Sequence, residues 1–439
     1  MKFNVDLHSH SGASGGVGDI SFDKIYKSMV YKGIDAYGTG DCLFPAWLKK
    51  LQGIFTEKDG LLVSEKYPDK YFVLQTELIF TIPYSKNLQK RKAWHNVVLF
   101  PSFSAAKQAV ALLEKYEVKN TIGRPFITAD SKDQLETFLF ELIDIDPFIE
   151  VIPAHIMTPQ GVFGSENPVE NLRAVYGNFC RKIHAIETGL SADPVALQMI
   201  PELDNLTFFS SSDAHCGRLG RLGREFTQLE ILEINYSALV DALRENKVNY
   251  TVEFPMTEGR YFLTGHRERK NHPGWCCFAP KKTPRANLCP ICGKKLTVGV
   301  LQRVLDISEK QSEESRVWGK SYGQDREFKK LVPLVEVVGS ALGIKTPNTK
   351  TVLENYHQII EQFGTEADLW EAEESQIEAK LSSSIDNNVL EAILEVAGGN
   401  FSFQPPGFDG TYGELVIGEQ YNFWETSLVE MEENPPNQS

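Results

Sequence analysis

The chain carries FNVDLHSH at residues 3–10, where a short apolar run leads directly into two histidines. Runs of similar length recur up to residue 215, each rich in Val, Ile, Phe or Tyr, as in buried parallel strands. Helical patterns such as Phe22–Lys32 and Ala105–Tyr116 lie between them. The alternation predicts a closed α/β barrel rather than an open sheet. We expect its strands at Phe3–Leu7, Ile34–Gly38, Tyr71–Gln75, Asn96–Phe100, Phe148–Ile152, Ile183–Ile186 and Leu206–Phe209.

Most of these expected strands run into a side chain that binds metals in proteins. Strand ends of a barrel meet on one face, so these side chains should converge there. Residues two apart on a strand share a face, which lets a pair such as His8 and His10 hold one ion. A hairpin over Glu77–His95 would bring His95 to the same face. The candidate ligands are His8, His10, Asp41, Glu77, His95, His155, Asp213 and His215, with Glu187 beside them.

The candidate ligands are nitrogen and oxygen donors, which suit Zn²⁺, Mn²⁺ or Fe²⁺, with Mg²⁺ as a further possibility. Their number exceeds one tetrahedral site, so two or three divalent metals are expected. Such a cluster supplies hydroxide at neutral pH and clamps the oxygens of an in-line phosphoryl displacement. The sequence therefore predicts a metal-dependent phosphoesterase, with the glycine-rich stretch 12–18 as a weak candidate for phosphate contact. We expect no catalytic role for His184, His266, His272 and His357.

The net charge of −14 is unevenly distributed. Residues 1–255 carry 26 basic and 32 acidic side chains, a net −6. Residues 256–305 carry 10 basic and 2 acidic ones, a net +8, and residues 306–439 carry 9 and 25, a net −16. The basic island at 256–305 is either a solvated surface or a local phosphate-binding face.

A cysteine knuckle lies inside this basic island. Cys289-Pro-Ile-Cys292-Gly is typical of one half of a zinc ribbon, and Cys276-Cys277 lies upstream of it. We expect a structural Zn²⁺ site from these four cysteines, although adjacent cysteines are awkward ligands and His272 or His266 could replace one. Cys42, Cys180 and Cys216 are expected to be buried thiols. The few cysteines suit a reducing cytoplasm, and we expect neither a signal peptide nor a membrane span.

Composition also divides the chain. We expect a barrel at 1–255, a zinc-binding module at 256–305, a polar linker or mobile loop at 306–327 and a mainly helical domain at 328–439. Apolar spacing predicts one helix that Gly364 ends and another that Gly398-Gly399 ends. The Pro- and Gly-rich stretch 401–417 predicts a turn or hairpin, and the final residues ENPPNQS predict disorder.

The ordered series HSH, GTGD, Glu, His, PAH and SDAH resembles the PHP phosphoesterase superfamily. The motifs GTGDCLFPAWL (38–48), HNVVLFPSF (95–103), GRPFITAD (123–130), ETGLSADP (187–194) and CPICGKKLTVGVLQRV (289–304) resemble the endonuclease Q family within it. GRYFLTGHR (259–267) and PPGFDGTYG (405–413) extend this likeness nearly to the end of the chain. The resemblance implies a distorted (β/α)7 barrel and a DNA repair enzyme that nicks 5′ to deaminated bases (uracil, hypoxanthine or xanthine) or abasic sites.

The resemblance also implies a division of the ligands. His8, His10, Glu77 and Asp213 would hold a first metal, and Glu77, His95 and His155 a second. Asp41 and His215 would belong to a third site, which lacks a further ligand because GASGG stands where PHP proteins often have another histidine. Glu187 would orient a ligand or the water. Among basic residues, we expect phosphate contacts from Arg124, Arg221, Arg224, Lys281, Lys282 and Arg285, with surface ion pairs as the alternative for the first three.

Two other functions remain open from the sequence. The first is a phosphatase of the same superfamily that acts on a small phosphomonoester, which would leave the basic module without a purpose. The second is a DNA-binding protein with a decayed barrel, which the complete set of ligands argues against. The preferred interpretation is a metal-dependent DNA endonuclease. The damaged base of its DNA substrate would be flipped into a pocket beside the metals.

Overall fold

A computed structural model describes residues 1–13, 20–83, 91–165, 169–270 and 272–430. Each of the seven expected strands is present, although bounds shift by a few residues and two are longer than expected. Further strands at 56–63, 126–128, 226–230 and 248–253 were not predicted. Strands β1 to β12 span Lys2–Asp6, Ala36–Gly38, Thr56–Lys58, Leu61–Val63, Tyr71–Pro83, Arg91–Phe100, Phe126–Thr128, Glu150–Pro153, Ala185–Glu187, Thr207–Phe209, Phe226–Glu230 and Val248–Glu253.

Helices lie between these strands, as the alternation predicted. The first helix has its predicted bounds because Ser21 caps its start by accepting from the Asp23 N–H, and Gly33 ends it at φ 77°. Helices α1 to α7 span Phe22–Lys32, Pro45–Ile54, Phe103–Lys115, Lys132–Ile143, Arg173–Tyr176, Pro194–Leu197 and Tyr236–Arg244. Short 3₁₀ helices occur at Gly177–Lys182, Pro201–Leu203, Pro280–Lys282, Arg285–Asn287 and Phe423–Glu425.

The sheet is mixed, which corrects the expectation of parallel strands throughout. Strands β1, β2 and β5 are parallel neighbours, but β6 runs antiparallel to both β5 and β8. Strands β11 and β12 also pair antiparallel, beside β1. The predicted return of the chain after Glu77 is confirmed by the β5–β6 pairing, which places His95 opposite Ile79. Antiparallel strands can follow one another without the crossover helix that parallel strands need, and β5 and β6 are separated by only seven residues.

The strands enclose one interior, and this makes the structure a distorted barrel. One buried cluster takes an apolar side chain from each of eight strands: Val5, Ala36, Val73, Val97, Ile152, Ala185, Phe209 and Leu229. Strands β9 and β10 pair only with each other among the described strands. Backbone hydrogen bonds beyond the strand ends complete the ring, from Ile156 N–H to Glu187 O and from Ala214 N–H to His8 O. The closure therefore falls at the end that carries the candidate ligands.

The cysteine module forms a small sheet on the barrel. Its strands β13 and β14 span Thr264–His266 and Trp275–Phe278, and helix α8 spans Val300–Gln311. Helix α8 corrects the predicted linker at 306–327, because its apolar face is buried and the helix continues to Gln311. The rest of that segment is also anchored, since Arg316 pairs with Asp204 and Arg326 donates to three backbone carbonyls. The expected helical region begins instead with a strand, β15 (Phe328–Lys330), which pairs with β12.

The remaining chain is mainly helical, as predicted. Helices α9 to α13 span Leu334–Ala341, Lys350–Phe363, Glu366–Glu371, Glu374–Leu381 and Asn387–Ala397, and strands β16 to β18 span Phe401–Phe403, Leu415–Ile417 and Ser427–Glu430. Gly364 and Gly398 end their helices as expected, and β16 pairs antiparallel with β17. Strand β18 joins β14 in the module.

A buried ion pair between Lys32 and Glu366 fastens the helical region to the barrel, with 2.7 Å between Nζ and Oε1. Within the described ranges, every helix is too short or too polar to cross a bilayer. The glycine-rich stretch at 12–18 falls mostly outside the described residues, and the ENPPNQS tail falls wholly outside them.

Candidate metal centre

The first group of candidate ligands lies where β1 and β10 end. His10 Nε2 is 3.1 Å from Asp213 Oδ1, and His8 Nε2 is 3.6 Å from the same oxygen. One donor atom from each of these residues lies within 4.8 Å of the others. Glu77 approaches both histidines, at 3.8 Å from His8 Nε2 and 3.6 Å from His10 Nε2. The four residues assigned by resemblance to the first metal therefore do meet.

The second group lies on β5, β6 and the turn after β8. Glu77 Oε1 is 2.5 Å from His95 Nδ1 and 3.3 Å from His155 Nε2. These three residues form a second set with donor atoms within 4.8 Å. Glu77 thus stands between the two groups, where a carboxylate can bridge two cations. The sequence predicted this position, because Glu77 falls midway along the series of ligands.

The histidines are held with free nitrogen lone pairs turned inward. His8 Nδ1 lies 2.9 Å from Glu187, and an ionised carboxylate only accepts, so Nδ1 carries the proton. Thr158 donates its hydroxyl proton to the His155 carbonyl and therefore accepts from His155 Nδ1 at 2.8 Å. When these imidazoles are neutral, as metal binding requires, both Nε2 atoms are left as the lone-pair donors. Orienting partners of this kind are typical of metal-binding histidines.

Several buried polar atoms at this centre lack a partner among the described residues. They include His8 Nε2, His10 Nδ1, Glu77 Oε2, Asp213 Oδ1 and Asp41 Oδ1. Buried polar atoms are nearly always paired, so a cluster of unpaired acceptors points to a missing cation. Imidazole and carboxylate donors together fit divalent ions such as Zn²⁺ and Mn²⁺. The residues present therefore fit two divalent metals.

Charge at the centre also favours cations. Burial alone would lower the pKa of His8, but the nearby carboxylates of Glu187, Asp213 and Glu77 raise it to about 10. The pKa of His10 rises to about 9 against the same opposing effect of burial. Conversely, burial would raise the pKa of Asp213, but the neighbouring histidines hold it below its usual range. The site without metal therefore holds protons that a divalent cation would replace.

The two residues assigned to a third metal do not form such a group. Asp41 Oδ2 accepts from the Ser11 N–H at 2.7 Å and from the Ser11 hydroxyl at 2.6 Å. His215 is 47% exposed, and its Nδ1 donates to the Asp213 carbonyl at 2.9 Å. Neither residue belongs to a set of three converging ligands in the described ranges. A third metal at Asp41 and His215 stays a prediction.

A cavity of about 360 Å³ opens over both groups of ligands. Arg124 enters it from the barrel, with Nη1 3.8 Å from Glu77 Oε2 and 26% of the side chain exposed. The opposite wall comes from outside the barrel: Arg260 and Tyr261 belong to the segment that precedes β13. Sequence reasoning did not assign these two residues to the site. The motif GRYFLTGHR was quoted only for its resemblance, and nothing in its pattern places it beside the barrel.

The other predicted DNA contacts are scattered. Arg224 donates from Nε and Nη2 to the Ser212 carbonyl, so it holds the backbone before Asp213 and does not line the catalytic cavity. Arg221 lines a different cavity of about 560 Å³. Lys281, Lys282 and Arg285 are exposed on the turn that follows β14, and Lys282 pairs with Glu425 at 2.9 Å. These three residues stay a predicted DNA-binding surface.

The cysteine module contains a third group of candidate ligands, which differs from the expected four cysteines. His266, His272, Cys289 and Cys292 have donor atoms within 4.8 Å of one another. His272 Nε2 lies 3.1 Å from Cys289 Sγ, and this hydrogen bond lowers the pKa of Cys289 to about 6 although burial opposes it. A thiolate is the form that binds zinc. The expected set of four cysteines is corrected: both histidines belong to the group, whereas the sequence offered either one only as a replacement for a single cysteine.

Strand geometry separates the adjacent cysteines. Cys276 Sγ lies 3.7 Å from Cys289 Sγ, whereas Cys277 packs into the main apolar core. Successive strand residues point to opposite faces, so only one of two adjacent cysteines can face the knuckle. Cys277 is therefore corrected from ligand to core residue. Of the remaining cysteines, Cys42 is buried as expected, while Cys180 and Cys216 are partly exposed.

No family model matches the chain. The uncharacterized protein MJ0043 of Methanocaldococcus jannaschii is 32% identical over 264 residues, which cover 57% of this chain and 30% of that protein. This chain thus matches less than a third of the length of that relative. Uncharacterized protein YqxK of Bacillus subtilis is 27% identical over 439 residues, which cover 94% of this chain and 99% of YqxK.

Solved structures show a likeness over the whole chain. The lesion-specific endonuclease PfuEndoQ of Pyrococcus furiosus has a TM-score of 0.78 and 25% identity, over 95% of this chain and 96% of that one. An endonuclease Q in complex with a 27-mer duplex, with an abasic lesion at the active site, shares the fold at a TM-score of 0.77, with 24% identity over 95% and 97%. The likeness to PfuEndoQ runs through barrel, cysteine module and helical region alike, and it supports an assignment of the chain to the endonuclease Q family.

Proposed function

We propose that this protein is a metal-dependent DNA repair endonuclease, which hydrolyses the phosphodiester 5′ to deaminated bases or abasic sites. The endonuclease proposal is best supported by the overall likeness and the metal ligands taken together. The chain matches a lesion-specific endonuclease from end to end, and its barrel keeps two converging groups of ligands. A decayed barrel would be expected to lose some of these ligands.

The residues at the centre have distinct tasks in this proposal. Divalent ions held by His8, His10, Asp213, Glu77, His95 and His155 would supply Lewis-acid charge and a nucleophilic hydroxide at neutral pH. Glu187 orients His8 through Nδ1 and also accepts from the His155 N–H at 2.8 Å. Thr158 fixes the tautomer of His155. Arg124 faces the cavity with a charge that suits a non-bridging phosphate oxygen.

DNA is the proposed substrate because of the cavity and its surroundings. A solved endonuclease Q of the same fold holds a duplex with an abasic lesion at its active site, and the present cavity opens over the two groups of metal ligands. An enzyme inspects a damaged base most fully when the base leaves the stack, and a space of about 360 Å³ can receive one nucleotide. We propose that duplexes with uracil, hypoxanthine or xanthine are substrates as well as duplexes with an abasic site.

The cysteine module is proposed to bind one structural Zn²⁺ and to face the DNA backbone with its basic side chains. Four donors of the Cys₂His₂ type match the tetrahedral preference of zinc. The module lies against the catalytic cavity, since Arg260 and Tyr261 form one of its walls. A phosphatase for small phosphomonoesters would have no use for this arrangement, so it is the less favoured alternative.

Two substrates separate these alternatives. Purified protein with Mn²⁺ is given either 4-nitrophenyl phosphate or a duplex with one uracil, with and without a chelator. The endonuclease proposal expects nicking of the duplex that the chelator abolishes, and slow or absent release of nitrophenol. Rapid turnover of the small phosphomonoester together with an intact duplex would instead favour the phosphatase.

A further inference from the structure

A buried carboxylate in the C-terminal region links the cysteine module to the wall of the catalytic cavity. Asp409 is only 4% exposed, although it lies in the Pro- and Gly-rich loop 405–413 between β16 and β17. Its Oδ2 accepts from the Arg267 N–H at 2.9 Å and from Arg269 Nη2 at 2.7 Å. Its Oδ1 accepts from the Thr297 hydroxyl at 2.6 Å. Asp409 thus binds the chain directly after β13 and the segment after the knuckle.

The same loop is hydrogen-bonded to the segment that forms the cavity wall. Backbone N–H groups of Gly407, Gly410 and Gly413 donate to the carbonyls of Thr257, Arg260 and Glu258 in turn, at 2.8 to 3.0 Å. At Gly410, with φ 92°, an added Cβ would lie 2.9 Å from Arg267 Nη1. The loop therefore packs closely between the Arg267 side chain and the backbone at Arg260. Its position depends on both contacts.

The loop also places a side chain of its own against a residue of the wall. The Arg260 guanidinium lies 5.5 Å from the ring centroids of both Tyr261 and Tyr412, which suits cation–π contact with each ring. Tyr412 is 54% exposed and follows Asp409 by three residues. Arg260 and Tyr261 line the cavity over the metal ligands. Aromatic rings and a guanidinium group are side chains on which a nucleobase can stack.

We propose that Asp409 is a positioning residue, which fastens loop 405–413 to the cysteine module and so fixes Arg260 in the cavity wall, with Tyr412 against it, where the two side chains help to distinguish damaged from undamaged DNA. The inference rests on the proposed endonuclease function. Asp409 touches neither the metal ligands nor the cavity, so the hydrolytic step itself should not depend on it. Its loss should weaken selection of the lesion without weakening binding to the DNA backbone.

Single-turnover nicking measures these two effects separately. The full-length protein with Mn²⁺ nicks a duplex with one abasic site, which gives the half-saturating enzyme concentration and the maximal rate. An undamaged duplex is the competitor, and its inhibition constant reports backbone binding. For Asp409→Asn we expect a half-saturating concentration about tenfold higher, with the maximal rate and the competitor constant each within about twofold of wild type.

Two further variants complete the test. Thr297→Val removes only the hydroxyl that donates to Asp409, and should shift selectivity in the same direction by a smaller factor. Asp204→Asn is the matched control, because Asp204 also pairs with an arginine, Arg316, but does not line the cavity. It should keep wild-type selectivity.

Equal weakening of damaged and undamaged binding, or a fall in the maximal rate alone, would overturn the inference, as would unchanged selectivity in both Asp409→Asn and Thr297→Val. A wild-type protein that fails to nick the damaged duplex would instead refute the proposed function.

Discussion

At the scale of single residues, Asp213 is the ligand that most directly supports the proposed metal centre. Its Oδ1 is approached by both first-group histidines, and its backbone is held at φ 47°. Arg224 and Asp6 fix the neighbouring Ser212 from two sides, through its carbonyl and its N–H. A carboxylate in such a setting is a preorganised ligand and not a surface charge.

We expect Asp213→Asn to abolish nicking while the protein stays folded. Loss of one anionic ligand removes several kcal/mol of transition-state stabilisation, which corresponds to about a thousandfold or more in rate. Single-turnover rates and thermal melting measure the two effects, with the exposed Asp23→Asn as control. A variant with full metal content and near wild-type rate would refute the assignment of Asp213.

The pKa values at the centre predict proton release on metal binding. With pKa values of about 10 for His8 and about 9 for His10, both imidazoles are protonated at pH 8 in the metal-free protein. A cation needs their neutral forms, so binding should release about two protons and the affinity should rise as pH increases from 7 to 9. Calorimetry in buffers of different ionisation enthalpy counts these protons. No proton release at pH 8 would show that the histidines are already neutral.

At the scale of secondary structure elements, the orientation of β14 determines which of its two cysteines faces the zinc-binding group. We expect Cys289→Ser and His272→Ala each to lose about one zinc per chain and to lower the melting temperature, because metal binding is coupled to folding in small modules. Cys277→Ser should retain its zinc, since Cys277 packs into the apolar core. Metal analysis of the three variants decides between the expected four cysteines and the Cys₂His₂ set. Zinc loss in Cys277→Ser with full zinc in His272→Ala would favour the original expectation.

The elements also show what the sequence could predict. Strands such as β1 and β10 were predicted because each lies in a short run rich in apolar residues. Strands β11 and β12, with the sequences FTQLE and VNYTVE, were missed because polar residues interrupt them. The antiparallel direction of β6 is seen in its pairing with β5, and a run of apolar residues gives no information on direction. Pairing across long separations, such as β12 with β15, leaves no local signal.

The same reasoning explains the outcome at the metal centre. His8, His10 and Asp213 were predicted to converge from spacing and strand ends, and they do so. His266 and His272 were named only as possible replacements for one cysteine, because the knuckle is brought near them only when β13 and β14 pair. Arg260 reaches the cavity through packing between distant segments, which local sequence patterns do not encode.

At the scale of the whole molecule, the charge distribution predicts how DNA binds. Lys281, Lys282 and Arg285 are exposed, but Lys282 forms an ion pair with Glu425. Replacing all three with Ala should reduce the slope of log affinity against log salt by about two to three units, equally for damaged and undamaged duplexes. Glu425→Gln should act in the opposite direction, because it frees Lys282. If the triple variant keeps the wild-type slope, the basic island is only a solvated surface.

The most direct test of the whole account maps the products of cleavage. A labelled duplex with a single abasic site or uracil is incubated with the protein and Mn²⁺, and the ends at the break are identified. We predict one nick on the 5′ side of the lesion, with a 3′-hydroxyl and a 5′-phosphate, no cleavage of the undamaged duplex and no cleavage after chelation. A metal-loaded protein that leaves the damaged strand intact, or that cuts both duplexes alike, would contradict the account.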